Sequence, residues 1–361
     1  MSFNFPNSPT PGDLFTGSNG AQYVWNGSVW NQVSGNPATL TAQARNRIVN
    51  PAMQINQEVP GPVASGYPVD QFLISGNVAT INASWQPTFG PEGLAALAAT
   101  LTTAKPSLAA GDFWQLLQPL EGKRVADFRF GTANAKQVVA RFSAVCSQAG
   151  TYTFKLANGA SNRVFLAPFT LVANTWKEIT VVIPGDTIGT WPTDATAGMY
   201  YGWGLAAGST YNTGVAGWQG VNMVQMAGHT NLAATANANF FVTNVGLYLD
   251  DQATGAAPPW VMPDEAQELQ ACRRYYAAYA TQYLVGGWSV GAGTPAYGNF
   301  SYQVQMRANP AVALGSTSLS GASSHVVAAI AGDSMRTTAT SSNSAAAFYG
   351  SANLITCNSR M

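Results

Sequence analysis

The sequence predicts a mainly β chain: a β-sandwich body set between a small N-terminal module and a β-rich C-terminal unit that carries one helix. Three observations lead there. Thr151-Tyr152-Thr153-Phe154-Lys155-Leu156 alternates polar and apolar residues without a break, as a strand with one wet face does. Val138 to Val145, Glu178 to Ile183 and Asn239 to Leu249 are further β-rich runs, the last with Val245, Leu247 and Leu249 in alternation. Between these runs Gly, Pro and Asn recur as turn formers, in the manner of a sandwich.

Composition bounds what such a chain can do. Its 361 residues include 16 basic and 16 acidic ones, for zero formal net charge, and charged residues make up 9%, against roughly 25% in an ordinary soluble domain. A nucleic-acid binder needs a basic face, and this balance leaves no global surplus for one. The 47% hydrophobic and 11% aromatic content can bury a core, which excludes charge-driven disorder. No stretch nears the ~20 consecutive apolar residues of a membrane-spanning helix. The opening Met1-Ser2-Phe3-Asn4-Phe5-Pro6 lacks the basic-then-apolar pattern of a secretory signal. The three cysteines, Cys146, Cys272 and Cys357, lie far apart and are odd in number. Reduced thiols, buried or half-buried, in a chain made in a reducing cytoplasm are the expectation.

The first module spans residues 1–44. Phe5-Pro6-Asn7-Ser8-Pro9-Thr10-Pro11 holds too many prolines for a helix or a central strand. In Tyr23-Val24-Trp25-Asn26-Gly27-Ser28-Val29-Trp30, Asn26-Gly27 signals a two-residue hairpin turn. That turn would set Val24 against Val29 and Tyr23 against Trp30, with Tyr23, Trp25 and Trp30 on one face. A hairpin so small cannot bury three aromatics alone, so these three are candidates for docking on a larger body.

The sandwich spans residues 45–254. Within it one helix is predicted over Pro91 to Thr103, because Pro91 suits the first helical position, Leu94, Leu97 and Leu101 share a face, and Pro106 follows. Around Gly255-Ala256-Ala257-Pro258-Pro259 the composition becomes linker-like, and residues 255–361 form the last unit. Pro263-Asp264-Glu265 opens its helix with acids in the first turn, and Leu269, Cys272, Tyr276 and Tyr279 follow at helical spacing. Short β segments among Gly, Ser and Ala complete the unit.

Chemistry-bearing patterns are scarce. Only His229 and His325 occur, without partners at metal-ligand spacing, so neither a metal nor a cofactor is expected. Phosphate-loop, dinucleotide and nucleophile-elbow motifs are missing. Asp250-Asp251 reads as a solvated strand end, since adjacent strand residues point to opposite faces. Asp186 and Asp194 flank Trp191, a weak glycosidase-like arrangement; no catalytic residue is assigned. The informative stretch is Ala195 to Leu249, 55 residues without Asp, Glu, Lys or Arg. It contains Tyr200, Tyr201, Trp203, Tyr211 and Trp218 among Gly, Ser, Thr and Asn. Flat aromatic faces with neutral hydrogen-bonding groups suit neutral sugars, which makes these five the glycan-binding candidates. Sandwich core and a subunit interface are the alternatives for the same residues.

Several patches resemble bacteriophage tail-fibre and related virion-appendage proteins. Phe5-Pro6-Asn7-Ser8-Pro9-Thr10 with Tyr23 to Trp30 looks like a small module found in many such fibres. Arg47-Ile48-Val49-Asn50-Pro51-Ala52-Met53-Gln54-Ile55-Asn56-Gln57 and Tyr67-Pro68-Val69-Asp70-Gln71-Phe72 are similar to the opening of their jelly-roll domain, and Asn244-Val245-Gly246-Leu247-Tyr248-Leu249 to its closing strand. Cys272-Arg273-Arg274-Tyr275-Tyr276 and Val304-Gln305-Met306-Arg307-Ala308-Asn309-Pro310 look like their C-terminal tip domain. The resemblance implies a jelly-roll sandwich in a homotrimeric appendage of the virion, made in the bacterial cytoplasm. Its N-terminal module would attach to another virion protein, and its distal end would meet host cell-surface polysaccharide. Nothing in it implies catalysis, nucleic-acid binding or membrane insertion. Without a β-helical or coiled-coil shaft such an appendage would be stubby, and tail fibre, baseplate tip and head fibre all stay open. A purely structural collar or connector, or a polysaccharide depolymerase, are the alternatives.

Overall fold

The computed structural model describes residues 5–10, 13–16, 22–25, 27–33, 46–58, 61–78, 81–279, 283–342, 347–352 and 354–361. In the N-terminal module β1 (Leu14–Thr16), β2 (Gln22–Trp25) and β3 (Trp30–Val33) form a three-stranded antiparallel sheet. Asn26, on which the expected turn depends, lies outside the described residues. The register corrects the expected pairing: Trp25 faces Trp30, Val24 faces Asn31 and Tyr23 faces Gln32. The slip is two residues, an even number, so Tyr23, Trp25 and Trp30 still share a face. Phe5 stacks on Trp30 with centroids 5.3 Å apart and also meets Phe15 and Tyr23, so the module gathers a half-buried aromatic cluster of its own.

The body is a jelly-roll β-sandwich. Its first five strands are β4 (Gly66–Val69), β5 (Phe72–Gly76), β6 (Ile81–Gln86), β7 (Ala96–Leu101) and β8 (Phe113–Glu121). Next come the short helix α1 (Gly122–Val125), then β9 (Val138–Cys146), β10 (Gly150–Asn158), β11 (Val164–Leu171) and β12 (Lys177–Ile183). The last three are β13 (Ala197–Ala207), β14 (Gly217–Gln219) and β15 (Asn239–Leu249). One sheet has the order β14-β11-β10-β13-β8-β5-β4 and the other β12-β9-β15-β7-β6. Alternate residues of each sheet point inward and interdigitate. Phe142 of one sheet meets Phe154 and Trp203 of the other at 5.9 and 5.3 Å. Cys146, Cys272 and Cys357 are free thiols, all buried.

The helix expected over 91–103 does not form. Pro91–Gly93 is a single 3₁₀ turn with Glu92 at φ 58°, and Ala96–Leu101 is strand β7. Leu97, Ala99 and Leu101 enter the core with period two, and β7 is hydrogen-bonded on both sides, to β6 and β15. Two ladders and a buried face outweigh the helix preference of Ala and Leu.

The C-terminal unit opens with α2 (Glu265–Arg273), capped by Asp264 accepting from the Gln267 N–H at 2.9 Å. Tyr276 and Tyr279, expected to continue the helix, lie instead on β16 (Tyr276–Tyr279). There follow β17 (Tyr283–Trp288), β18 (Pro295–Ser301), β19 (Ala311–Leu314) and β20 (Thr317–Ser320). The remaining strands are β21 (Ala322–Ala331), β22 (Ser334–Ser341), β23 (Ala347–Ala352) and β24 (Ile355–Asn358), and the nine make three small antiparallel sheets. Partly buried ionic and polar contacts fix this unit to the sandwich. Arg274 donates through two nitrogens to Glu121 at 2.9 and 2.6 Å, and Arg307 donates to the Ala195 carbonyl at 2.8 Å. Arg360 lies against the rings of Tyr67 and Tyr276 and pairs with Glu58.

Candidate functional site

The uncharged segment folds largely into the sandwich. Tyr201 and Trp203 are wholly buried on β13 with 0% exposure, so these two glycan candidates belong to the core. They occupy inward positions of a central strand and pack against Phe154, Phe142 and each other. The other three are half-buried at separate places. Tyr200 lies over Ala157, Val164 and Leu166 on the opposite face of the same sheet. Tyr211 meets Phe113 edge-on at 5.5 Å. Trp218 donates its indole N–H to the Pro184 carbonyl at 2.8 Å and packs on Phe130, Phe165 and Trp191.

The carboxylates near Trp191 are structural. Asp186 is 3% exposed and takes two hydrogen bonds from Arg163 at 2.8 and 2.7 Å. Asp194 accepts from the backbone and hydroxyl of Thr196 at 2.9 and 2.6 Å, which holds its carboxyl below the usual range. Asp250 is buried rather than solvated: it accepts from Gln137, Thr254 and Gly255 and so ties down the end of β15.

Within 208–231, β14 extends the edge of the seven-stranded sheet, and the chain after it crosses the sheet's outer face, with Met223 and Met226 on Ala157, Val164 and Leu166. Gly204 makes this possible: a Cβ there would come within 1.9 Å of the Val224 carbonyl oxygen. Beneath the excursion Lys155 is 2% exposed. Its ammonium donates to Gln115 Oε1 and Asn222 Oδ1, both at 3.2 Å, and burial without a carboxylate pushes its pKa down to about 8.

The surface best built for a ligand lies on the other sheet. Ala140, Phe142 and Ala144 of β9 and Ile179 and Val181 of β12 point into the core, so Arg141, Ser143, Glu178 and Thr180 face outward. A cleft of about 460 Å³ opens over Arg141, Ser143 and Glu178, lined also by Leu94, Asn244 and Trp260. Arg141 donates to Glu178 at 2.5 Å and to the Pro258 carbonyl at 2.8 Å, with its guanidinium 5.8 Å from the Trp260 centroid. Asn244 sits at a bulge of β15 with φ 52°. Its Oδ1 and the Arg141 Nε are buried without a hydrogen-bond partner among the described residues.

Two residues further along the same strands the floor turns aromatic. Phe241 follows Thr243 down β15 and pairs with Val145, Trp176 precedes β12, and Phe89 precedes the 3₁₀ turn. Phe89 stacks on Phe241 at 4.0 Å, stands 6.4 Å from Trp176, and is 48% exposed. By strand register this aromatic group lies beside the cleft on the same face, and the two together make the candidate groove. Sequence reading missed it because its residues come from five distant segments, none of which carries a motif. The one available signal was the outward position of Arg141 and Ser143 within the apolar run Val138 to Val145.

No protein-family model matches the chain, and no curated protein matches it. Among solved structures, TmCBM61 in complex with β-1,4-galactotriose is similar at 10% identity and TM-score 0.32, over 57% of this chain and 99% of that one. The N-terminal cellulose-binding domain of Cellulomonas fimi β-1,4-glucanase C is similar at 10% identity and TM-score 0.29, over 54% of this chain and 98% of that one. The enzymatically active domain of tailspike protein 4 from bacteriophage CBA120 is similar at 8% identity and TM-score 0.30, over 57% of this chain and 22% of that one.

Proposed function

We propose that the chain binds glycan without cleaving it, in the groove over the five-stranded sheet, and serves as a virion appendage that adheres to host-surface polysaccharide. One observation carries the binding reading: an exposed aromatic group lies beside a cleft lined by Arg141, Ser143, Asn244 and Trp260. Sugar C–H faces pack on aromatic rings, and sugar hydroxyls suit a cleft whose lining mixes such rings with hydrogen-bonding side chains.

The appendage reading rests on the sequence patches that resemble phage fibres. In it the chain works as a homotrimer in the virion, attached to another virion protein through Tyr23, Trp25 and Trp30. Individually weak sites then suffice, because several act together on one polymer.

Adsorption of the purified protein to host cells and to their extracted polysaccharides tests this, with Trp260→Ala and Phe89→Ala beside the wild type. Binding that both variants weaken is the expected result. Wild-type binding unchanged by either variant removes the groove from the account. Failure of the wild type to bind any host strain or polysaccharide removes adhesion, and release of reducing sugar establishes a depolymerase instead.

A further inference from the structure

A second opening lies at the Ala207 end of β13, between the 106–108 turn and the 208–231 excursion, with a volume of about 330 Å³. Pro106, Leu108 and Met226 give it an apolar side, and Ser209, Asn212 and His229 a polar one. None of its lining residues carries a formal charge at neutral pH. The nearby Lys105 and Asp112 are paired with each other at 2.6 Å.

The walls are held in place from behind. Gln225 donates to the carbonyls of Gly204 and Thr230, and Asn231 accepts from the Ala233 N–H at 3.0 Å. His229 is held in place too. Thr153 Oγ1 accepts from the Met226 N–H at 3.0 Å and stands 2.7 Å from His229 Nδ1. The ring is thus engaged at Nδ1, which leaves Nε2 as its second hydrogen-bonding atom. Burial lowers the His229 pKa and keeps the ring neutral.

We infer that this pocket is a second carbohydrate site, taking one neutral sugar residue with a sugar hydroxyl hydrogen-bonded to His229 Nε2. It rests on reading the chain as a glycan binder but lies on the opposite sheet from the groove, so one chain would hold polysaccharide on two faces. Phosphate and carboxylate ligands are disfavoured because no cation lines the pocket to offset their desolvation.

The chain has only two histidines, so nitrogen-15 imidazole spectra of the full-length protein report the site directly. His325, 9% exposed in the C-terminal unit, is the internal reference. Galactose, glucose, mannose, rhamnose and N-acetylglucosamine are the probes, each titrated singly. At least one is expected to shift the His229 signals saturably while His325 stays fixed. Ser209→Trp, which blocks the mouth from an exposed position, is expected to abolish the shift, and Trp260→Ala to leave it intact. The inference is overturned if no probe moves His229, if the shift survives Ser209→Trp, or if inorganic phosphate shifts His229 as strongly. A silent His229 with Trp260-dependent polysaccharide binding defeats this site alone. A responsive His229 with polysaccharide binding indifferent to Trp260 and Phe89 defeats the groove alone.

Discussion

Arg141, on a core strand, holds Trp260, on the connection to the C-terminal unit, with its guanidinium 5.8 Å from the indole centroid. The same guanidinium donates to Glu178 and to the Pro258 carbonyl. One buried cation thus positions a groove wall that lies far from it in sequence.

Removing that wall is expected to weaken binding without unfolding the body. For Trp260→Ala, loss of one aromatic contact is worth about 1 kcal/mol, or roughly a five-fold rise in Kd for polysaccharide fragments. Titration calorimetry beside a thermal melt checks it. A large fall in Tm would mark Trp260 as a structural anchor instead.

Lys155 makes stability depend on pH in a predictable direction. Its pKa is about 8 when folded against 10.5 for the free side chain. Between those values the unfolded chain holds more protons, so raising the pH favours the folded state. Lys155→Met is expected to be more stable than wild type at pH 7, with the gap closing toward pH 10.5. Paired urea titrations across that range decide it, and a gap constant with pH contradicts the assignment.

Gly204→Ala is expected to displace the excursion over the seven-stranded sheet, because the new methyl would meet the Val224 carbonyl at 1.9 Å. Relief of such overpacking costs about 1–3 kcal/mol. The accompanying sign is faster protease cleavage within 208–231. Cleavage at the wild-type rate would show that the sheet yields instead.

Asp186→Asn breaks a two-bond contact with Arg163 in which the partners are 3% and 14% exposed. Leaving that guanidinium buried and unpaired is expected to cost about 3–5 kcal/mol. Asp194→Ala, at an exposed turn, is expected to cost about 1 kcal/mol or less. Urea midpoints that rank the two the other way would refute the structural role given to Asp186.

The sandwich was legible where β-rich residues run on, as in Val138 to Val145 and Glu178 to Ile183. Thr151 to Leu156 is a strand as its alternation predicts, but its polar face is not wet: Thr153 and Lys155 are 0% and 2% exposed, covered by the chain that follows β13. It was illegible at Leu94 to Leu101, because leucines at positions 97 and 101 fit both a helical face and, with Ala99, a strand. Only pairing with β6 and β15 distinguishes the two. Charge scarcity over Ala195 to Leu249 pointed to neutral surroundings without saying whose: for Tyr201 and Trp203 those surroundings are the core. The groove could not be read at all. Arg141, Glu178, Asn244 and Trp260 acquire joint meaning only through strand register, the bulge at Asn244 and the path of the connection after Leu249.

The clamps between the C-terminal unit and the sandwich also set how tension travels. No strand or helix lies between Leu249 and Glu265 among the described residues, and that connection is held by Arg141 at Pro258 and Trp260. Arg274 grips Glu121 at the end of β8, and Arg307 grips Ala195 just ahead of β13. Ala197 is the cross-strand neighbour of Glu121, so both grips fall at one end of two adjacent strands in the middle of the wider sheet. A pull on the C-terminal unit therefore loads these strands lengthwise, and the many hydrogen bonds along them share the strain in shear rather than opening one by one.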